Sequence, residues 1–184
     1  MINIYEVSTV GIDGKSPQEP VALVRQKRFK LKEEIRFFGG QSEDENDLLF
    51  TLKARKVIEI GGHYDVIDTA GSVVGTLRKK AKQSFLRSTW QLLGADGSEI
   101  AWVHEKSAGV AIFRRVKDLI PYGELIPVPY HFSFFIGQTP VGSYSRILGL
   151  RDKYLLDLTA DVEKKIDRRV AVALAVALDA LQAR

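Results

Sequence analysis

Apolar and polar residues alternate through most of this chain, and one tract breaks the rule. Short runs such as Val21-Ala22-Leu23-Val24-Arg25, Glu34-Ile35-Arg36-Phe37-Phe38 and Leu48-Leu49-Phe50-Thr51-Leu52-Lys53-Ala54 read as half-buried strands. The exception is Asp161 to Gln182, centred on Val170-Ala171-Val172-Ala173-Leu174-Ala175-Val176-Ala177-Leu178. Large apolar residues alternate with alanine here, which could suit a strand. Alanine, however, is the best helix former and a poor strand former, and the tract is too long for a typical strand. At about 100° per residue, Val170, Leu174, Leu178 and Leu181 fall on one side and Val172 and Val176 on the other. The pattern predicts a helix over 161–182, with Thr159 or Asp161 as its cap and Glu163 in its first turn. A helix apolar all round must be surrounded. The remaining chain offers mainly alternating strands, so an antiparallel sheet wrapped around this helix is expected.

Residues 1–20 carry Gly11, Asp13-Gly14, Ser16-Pro17 and Pro20 and read as an N-terminal arm or loop. Residues 21–184 then form one domain that includes the helix. The polar, acidic stretch from Gln41 to Asp47 is a hairpin loop, and Lys56 to Ile60 continues the return strand after a bend. A unit then recurs three times. Tyr64-Asp65-Val66-Ile67 turns at Asp68-Thr69-Ala70-Gly71 and returns as Val73-Val74-Gly75-Thr76-Leu77. Trp90-Gln91-Leu92-Leu93 turns at Ala95-Asp96-Gly97-Ser98 and returns as Ile100-Ala101-Trp102-Val103. Phe132-Ser133-Phe134-Phe135-Ile136 turns at Gly137-Gln138-Thr139-Pro140 and returns as Val141-Gly142-Ser143-Tyr144. Asp and Gly between apolar runs signal hairpins because they tolerate the positive φ of tight turns. Small residues on each return strand (Gly75, Ala101, Gly142) would let the sheet bend or an inner helix approach. Ala108 to Ile120 reads as a short helix stopped by Pro121, and Pro121 to Pro129 as an extended connection. The last strand is Lys153-Tyr154-Leu155-Leu156-Asp157-Leu158.

Several of these pieces, in this order, resemble the tubby C-terminal-like superfamily, and within it the LURP-one-related and phospholipid-scramblase-like proteins. They are Leu23-Val24-Arg25-Gln26-Lys27 with Phe29-Lys30-Leu31, and Tyr64-Asp65-Val66 through Asp68-Thr69-Ala70-Gly71 to Gly75. Trp90 before the Asp96-Gly97 turn, and Asp167-Arg168-Arg169 running into the Ala/Val/Leu helix, complete the set. The resemblance covers residues 21 to 182. It implies a mainly β fold: a closed antiparallel barrel of about twelve strands around the C-terminal helix.

Composition narrows the function. The 184 residues include no Cys, which excludes disulfides and thiolate chemistry and suits the cytoplasm. No basic n-region with an apolar run opens the chain, so no secretory signal is expected. Val170 to Leu178 rises only ~12 Å against a hydrocarbon core of ~30 Å, so a membrane-spanning helix is not expected. His63, His104 and His131 lie on different strands without metal-ligand spacing. G-x-S-x-G, P-loop and dinucleotide motifs are absent, and no catalytic triad can be assembled; we expect no enzyme, metal or cofactor. Scramblase relatives carry an acidic Ca²⁺-associated segment before the final helix. Here the acids of Asp152 to Asp161 are too widely spaced for an oxygen cage. The aromatics lie in apolar strands and look like core, which disfavours nucleic acid.

The net charge of +4 is a mild excess, but it is clustered. Arg78-Lys79-Lys80-Ala81-Lys82 with Arg87 is one cluster. Lys53, Arg55 and Lys56 form another, and Arg114-Arg115 with Lys117, and Lys164-Lys165 with Arg168-Arg169, are two more. Tubby domains bind phosphoinositide headgroups through surface Lys and Arg. The resemblance therefore implies an intracellular barrel, peripheral at the membrane, that recognises an anionic lipid or another phosphate-bearing partner. The candidate residues are Arg78, Lys79, Lys80, Lys82 and Arg87. The alternative is a structural or protein-interaction module with no small ligand, its lysines serving solubility and blocking edge pairing.

Overall fold

The computed structural model describes residues 2–11, 17–27, 34–40, 43–55, 62–80, 88–106, 131–147 and 153–182. Among the described residues eleven strands precede one α-helix. They are β1 (Ile2–Val10), β2 (Pro17–Lys27), β3 (Glu34–Phe38), β4 (Leu48–Ala54), β5 (His63–Asp68), β6 (Val73–Lys79), β7 (Thr89–Gly94), β8 (Glu99–Glu105), β9 (His131–Ile136), β10 (Thr139–Ile147) and β11 (Lys153–Asp157). The helix, α1, is Arg168–Gln182. Each strand pairs antiparallel with the next, in chain order. Residues 2–10, read from sequence as arm or loop, are strand β1 on the edge of the sheet. The short helix expected over 108–120, the connection over 121–129 and the strand over 56–60 fall outside the described residues.

One core joins the inner faces of the strands to the helix. Val24, Phe37, Leu52, Leu77, Trp90 and Phe134 belong to it, and so do Ala171, Leu174 and Leu178 of α1. Tyr5 and Val7 of β1 and Tyr154 and Leu156 of β11 pack against it from the two edges. Eleven strands laid flat would span ~50 Å, far wider than a helix. Both edges can pack against the one core that holds the helix only if the sheet curls around it. From Val170 to Leu178 the helix is apolar all round, as the sequence predicts, and buried apart from the partly open Val172, while Arg168 and Arg169 at its start are more exposed.

The expected closed barrel is corrected. The strand order runs from β1 to β11, and among the described residues no pairing joins the two edges. The sheet is open and eleven-stranded rather than closed with about twelve strands. The helix fills the interior, and β11 is tied to it directly: the Tyr154 hydroxyl donates to Asp179. An edge strand anchored on the inner helix does not need the opposite edge to hold it in place.

The helix also starts later than expected. Asp161 is buried, and its carboxylate accepts from the backbone N–H of Lys165 at 3.0 Å and of Ile166 at 3.1 Å, and from Arg168 at 2.8 Å. Those bonds close a turn, and Lys164 at φ 53° is incompatible with a helix through it. Asp167 is the cap instead: its Oδ1 accepts from the N–H of Arg169 at 2.8 Å. Thr159 bonds Asp157, and Glu163 pairs with Lys165, so neither serves the helix.

Candidate functional site

The basic run lies at the end of β6. Leu77 is fully buried, so alternation sends Arg78 to the outer face and Lys79 inward. Register places Arg78 between His63 of β5 and Gln91 of β7. The row continues through Trp102 of β8 to Phe135 of β9. Five outward side chains thus form a belt across five strands.

Hydrogen bonds run along the belt. Arg78 donates through Nε to His63 Nε2 at 2.8 Å and through Nη1 to Gln91 Oε1 at 3.2 Å. Gln91 donates to Glu99, whose other carboxylate oxygen accepts from the Trp102 indole N–H. His104 stacks on Phe135 with ring centroids 4.8 Å apart and planes 12° apart. The ammonium of Lys80 sits 5.4 Å from the Trp102 ring centroid. Lys79, on the inner side, lies 5.7 Å from the Trp90 centroid. Arg78, Lys79 and Lys80 are all half-buried. Lys82 and Arg87 lie outside the described residues.

The guanidinium of Arg78 is therefore fixed by two neutral acceptors, with no carboxylate in ion-pair range among the described residues. His63 accepts this bond through Nε2. The other clusters differ. Arg55 is paired with Asp65 at 2.6 Å and donates to Thr76, which also donates to Asp65. Arg168 is paired with Asp161, Arg169 with Asp167 and Lys165 with Glu163. The Asp167 carboxyl is held below its usual range mainly by the Arg169 side chain. Lys56 and Arg114, Arg115 and Lys117 fall outside the described residues.

Sequence reasoning placed Arg78, Lys79 and Lys80 on one cluster but missed their partners. His63, Gln91, Glu99 and Trp102 sit on three other strands, and only register brings them together. The signal was present as polar residues at outward positions of apolar strands, Gln91 above all, since Trp90 and Leu92 on either side are fully buried. Of the remaining histidines, His104 meets the belt by stacking on Phe135. His131 opens β9, where burial and then Lys106 push its pKa down. Among the described residues no group of His, Asp or Glu is arranged to hold a metal. Asp157 and Asp161, of the acidic stretch before the helix, are engaged in turns. No described helix is long and apolar enough to cross a membrane.

A family model described as LURP-one-related matches residues 21–179. No curated protein and no solved structure gives a match. The family match takes in most of β2, every strand from β3 to β11 and most of the inner helix, and the chain belongs to the LURP-one-related family, within the tubby-like superfamily.

Proposed function

We propose that this protein is a binding module rather than an enzyme. Its partner is an anionic, phosphate-bearing surface, a phosphoinositide-like headgroup in a membrane. Arg78 and Lys80 make the contact from the outer face, with Lys82 and Arg87 of the same basic cluster, while Lys79 turns inward against Trp90. The observation that carries the reading is the state of Arg78. A guanidinium held by neutral acceptors keeps its charge uncompensated, and its remaining donors can meet a phosphate bidentately. Lys80 stands beside it against an indole, without an acidic partner among the described residues. Each cation near an anionic bilayer contributes about 1 kcal/mol. The half-buried rings of Trp102 and Phe135 on the same face suit the interfacial zone, where an aromatic ring meets water and lipid together.

Vesicle sedimentation tests this. The protein should pellet with phosphatidylcholine vesicles containing phosphatidylinositol phosphates and stay in solution with phosphatidylcholine alone. Lys80→Glu and Lys82→Glu together should abolish the difference with little change in melting temperature. Arg78→Glu is a poorer probe, because it also breaks two hydrogen bonds. Equal binding to both vesicles, or to neither, would overturn the reading in favour of a protein-interaction module.

A further inference from the structure

Arg25 of β2 and Arg36 of β3 are direct cross-strand partners. Both face outward, since Val24 and Phe37 beside them are fully buried. Like charges set opposite one another in an antiparallel pair repel. One loop supplies the compensation: Glu43 accepts from Nη1 of Arg25, and Glu45 accepts from Nη1 of Arg36. Glu34 adds a contact of 3.2 Å to Nε of Arg36.

The loop is a shaped piece. Asp44, between the two glutamates, accepts from the N–H of Asn46 at 2.9 Å and opens a single 3-10 turn over Glu45–Asp47. The carbonyl of Asp47 accepts from the N–H of Gly39 at 2.7 Å. Glu43 and Glu45 are thereby presented on either side of the cap, one to each arginine. The seat is shallow: the Glu45 side chain is 66% exposed. Both pairs keep contact with solvent, Arg25–Glu43 at 30% exposure on each side, and solvated ion pairs contribute little, so a dianion can displace the glutamates. Two adjacent guanidiniums are well matched to the oxygens of a single phosphate dianion.

We propose that Arg25 and Arg36 form a second phosphate-dianion site, which Glu43 and Glu45 of the β3–β4 loop occupy until such a group displaces them. It is separate from the Arg78 belt, with β4 in between.

Isothermal titration of the full chain with inorganic pyrophosphate tests it. Glu43→Gln with Glu45→Gln should bind about tenfold tighter or better than the unchanged chain, because the internal competitor is gone. Adding Arg25→Gln and Arg36→Gln should remove that gain. Equal affinity of the loop variant and the unchanged chain, or a gain that survives loss of both arginines, overturns the proposal. If the loop variant does not fold, NMR of the unchanged chain decides: excess pyrophosphate must move the Nε–H resonances of Arg25 and Arg36, and unmoved resonances overturn it too. Phosphatidylcholine vesicles with and without phosphatidic acid distinguish the source. Pelleting of the loop variant only with phosphatidic acid assigns a lipid phosphomonoester, and response to pyrophosphate alone assigns a free phosphate; either upholds the site.

Discussion

Gly75 has no room for a side chain. A Cβ there would lie 2.7 Å from Cγ2 of Val170 and 2.9 Å from the carbonyl of Leu93. The second contact is backbone on a paired strand and cannot yield cheaply. Gly75→Val should therefore destabilise by about 1–3 kcal/mol, read as a lower urea midpoint with an unchanged slope. A variant as stable as the unchanged chain would mean α1 is seated further from β6. Asp167 makes a different kind of contribution. As the cap of α1, its loss in Asp167→Ala should cost about 1 kcal/mol. The pH dependence has a definite sign: the folded carboxyl titrates below its unfolded value, so its stabilisation is full above about pH 4 and fades as pH falls further. The gap in melting temperature between the two proteins should narrow below that point. A gap constant to lower pH would show that the charge of Asp167 is irrelevant. Gly75 was legible in the sequence as a small residue among large ones. Asp167 was not, because two earlier residues, Thr159 and Asp161, look like equally good caps, and only the buried bonds of Asp161 show that it closes a turn instead.

The elements repeat more closely than their sequences suggest. In the β5–β6 hairpin Ile67 pairs with Val73 and Val66 with Gly75, leaving Val74 as an extra residue. Ile100 is extra in the same way between β7 and β8, Val141 between β9 and β10, and Leu49 between β3 and β4. Four return strands thus carry a bulge just after the turn. A bulge sharpens local twist, and four in a row supply curvature. Gly75, Ala101 and Gly142 each follow a bulge residue, which gives the small residues of the sequence a physical reason. Alternation marked β3 and β4 at their observed bounds because their turn is acidic and their runs are unambiguous. It missed β1 because the Gly, Pro and Ser of residues 11–20 coloured the reading of the whole segment, while Ile2 to Val10 alone has the residues of a strand. The edge strand β11 offers a test at this scale. Tyr154→Phe removes the donor to Asp179 and leaves a part-buried carboxylate without that bond, at a cost of about 1–3 kcal/mol. Hydrogen exchange should show β11 amides losing protection before those of β7. Uniform loss across both strands would indicate that the tie does not act locally.

At the scale of the molecule, the inner helix and the sheet around it were readable, and the closure of the sheet was not. An apolar helix demands a surround, which hydrophobicity alone can say. Whether two edges meet depends on register and on the anchoring of β11 on α1, neither of which leaves a one-dimensional trace. The same asymmetry shapes the functional reading: a cluster of cations is visible in sequence, but the compensation that silences some clusters and spares Arg78 appears only across strands. The inner helix gives the strongest prediction. Leu174 is fully buried at the centre of α1, and Leu174→Asp would put a carboxylate where the core offers it no partner. Penalties of that kind exceed the reserve of a typical domain, so the variant should be recovered unfolded or aggregated. Val162, 83% exposed in the turn before the helix, is the matched control. Val162→Asp should change stability by less than about 0.5 kcal/mol. Circular dichroism melts of the pair read the difference directly. If the two variants melt alike, α1 is not the centre about which the strands fold, and the curled sheet would have to be held by contacts between its own inner faces.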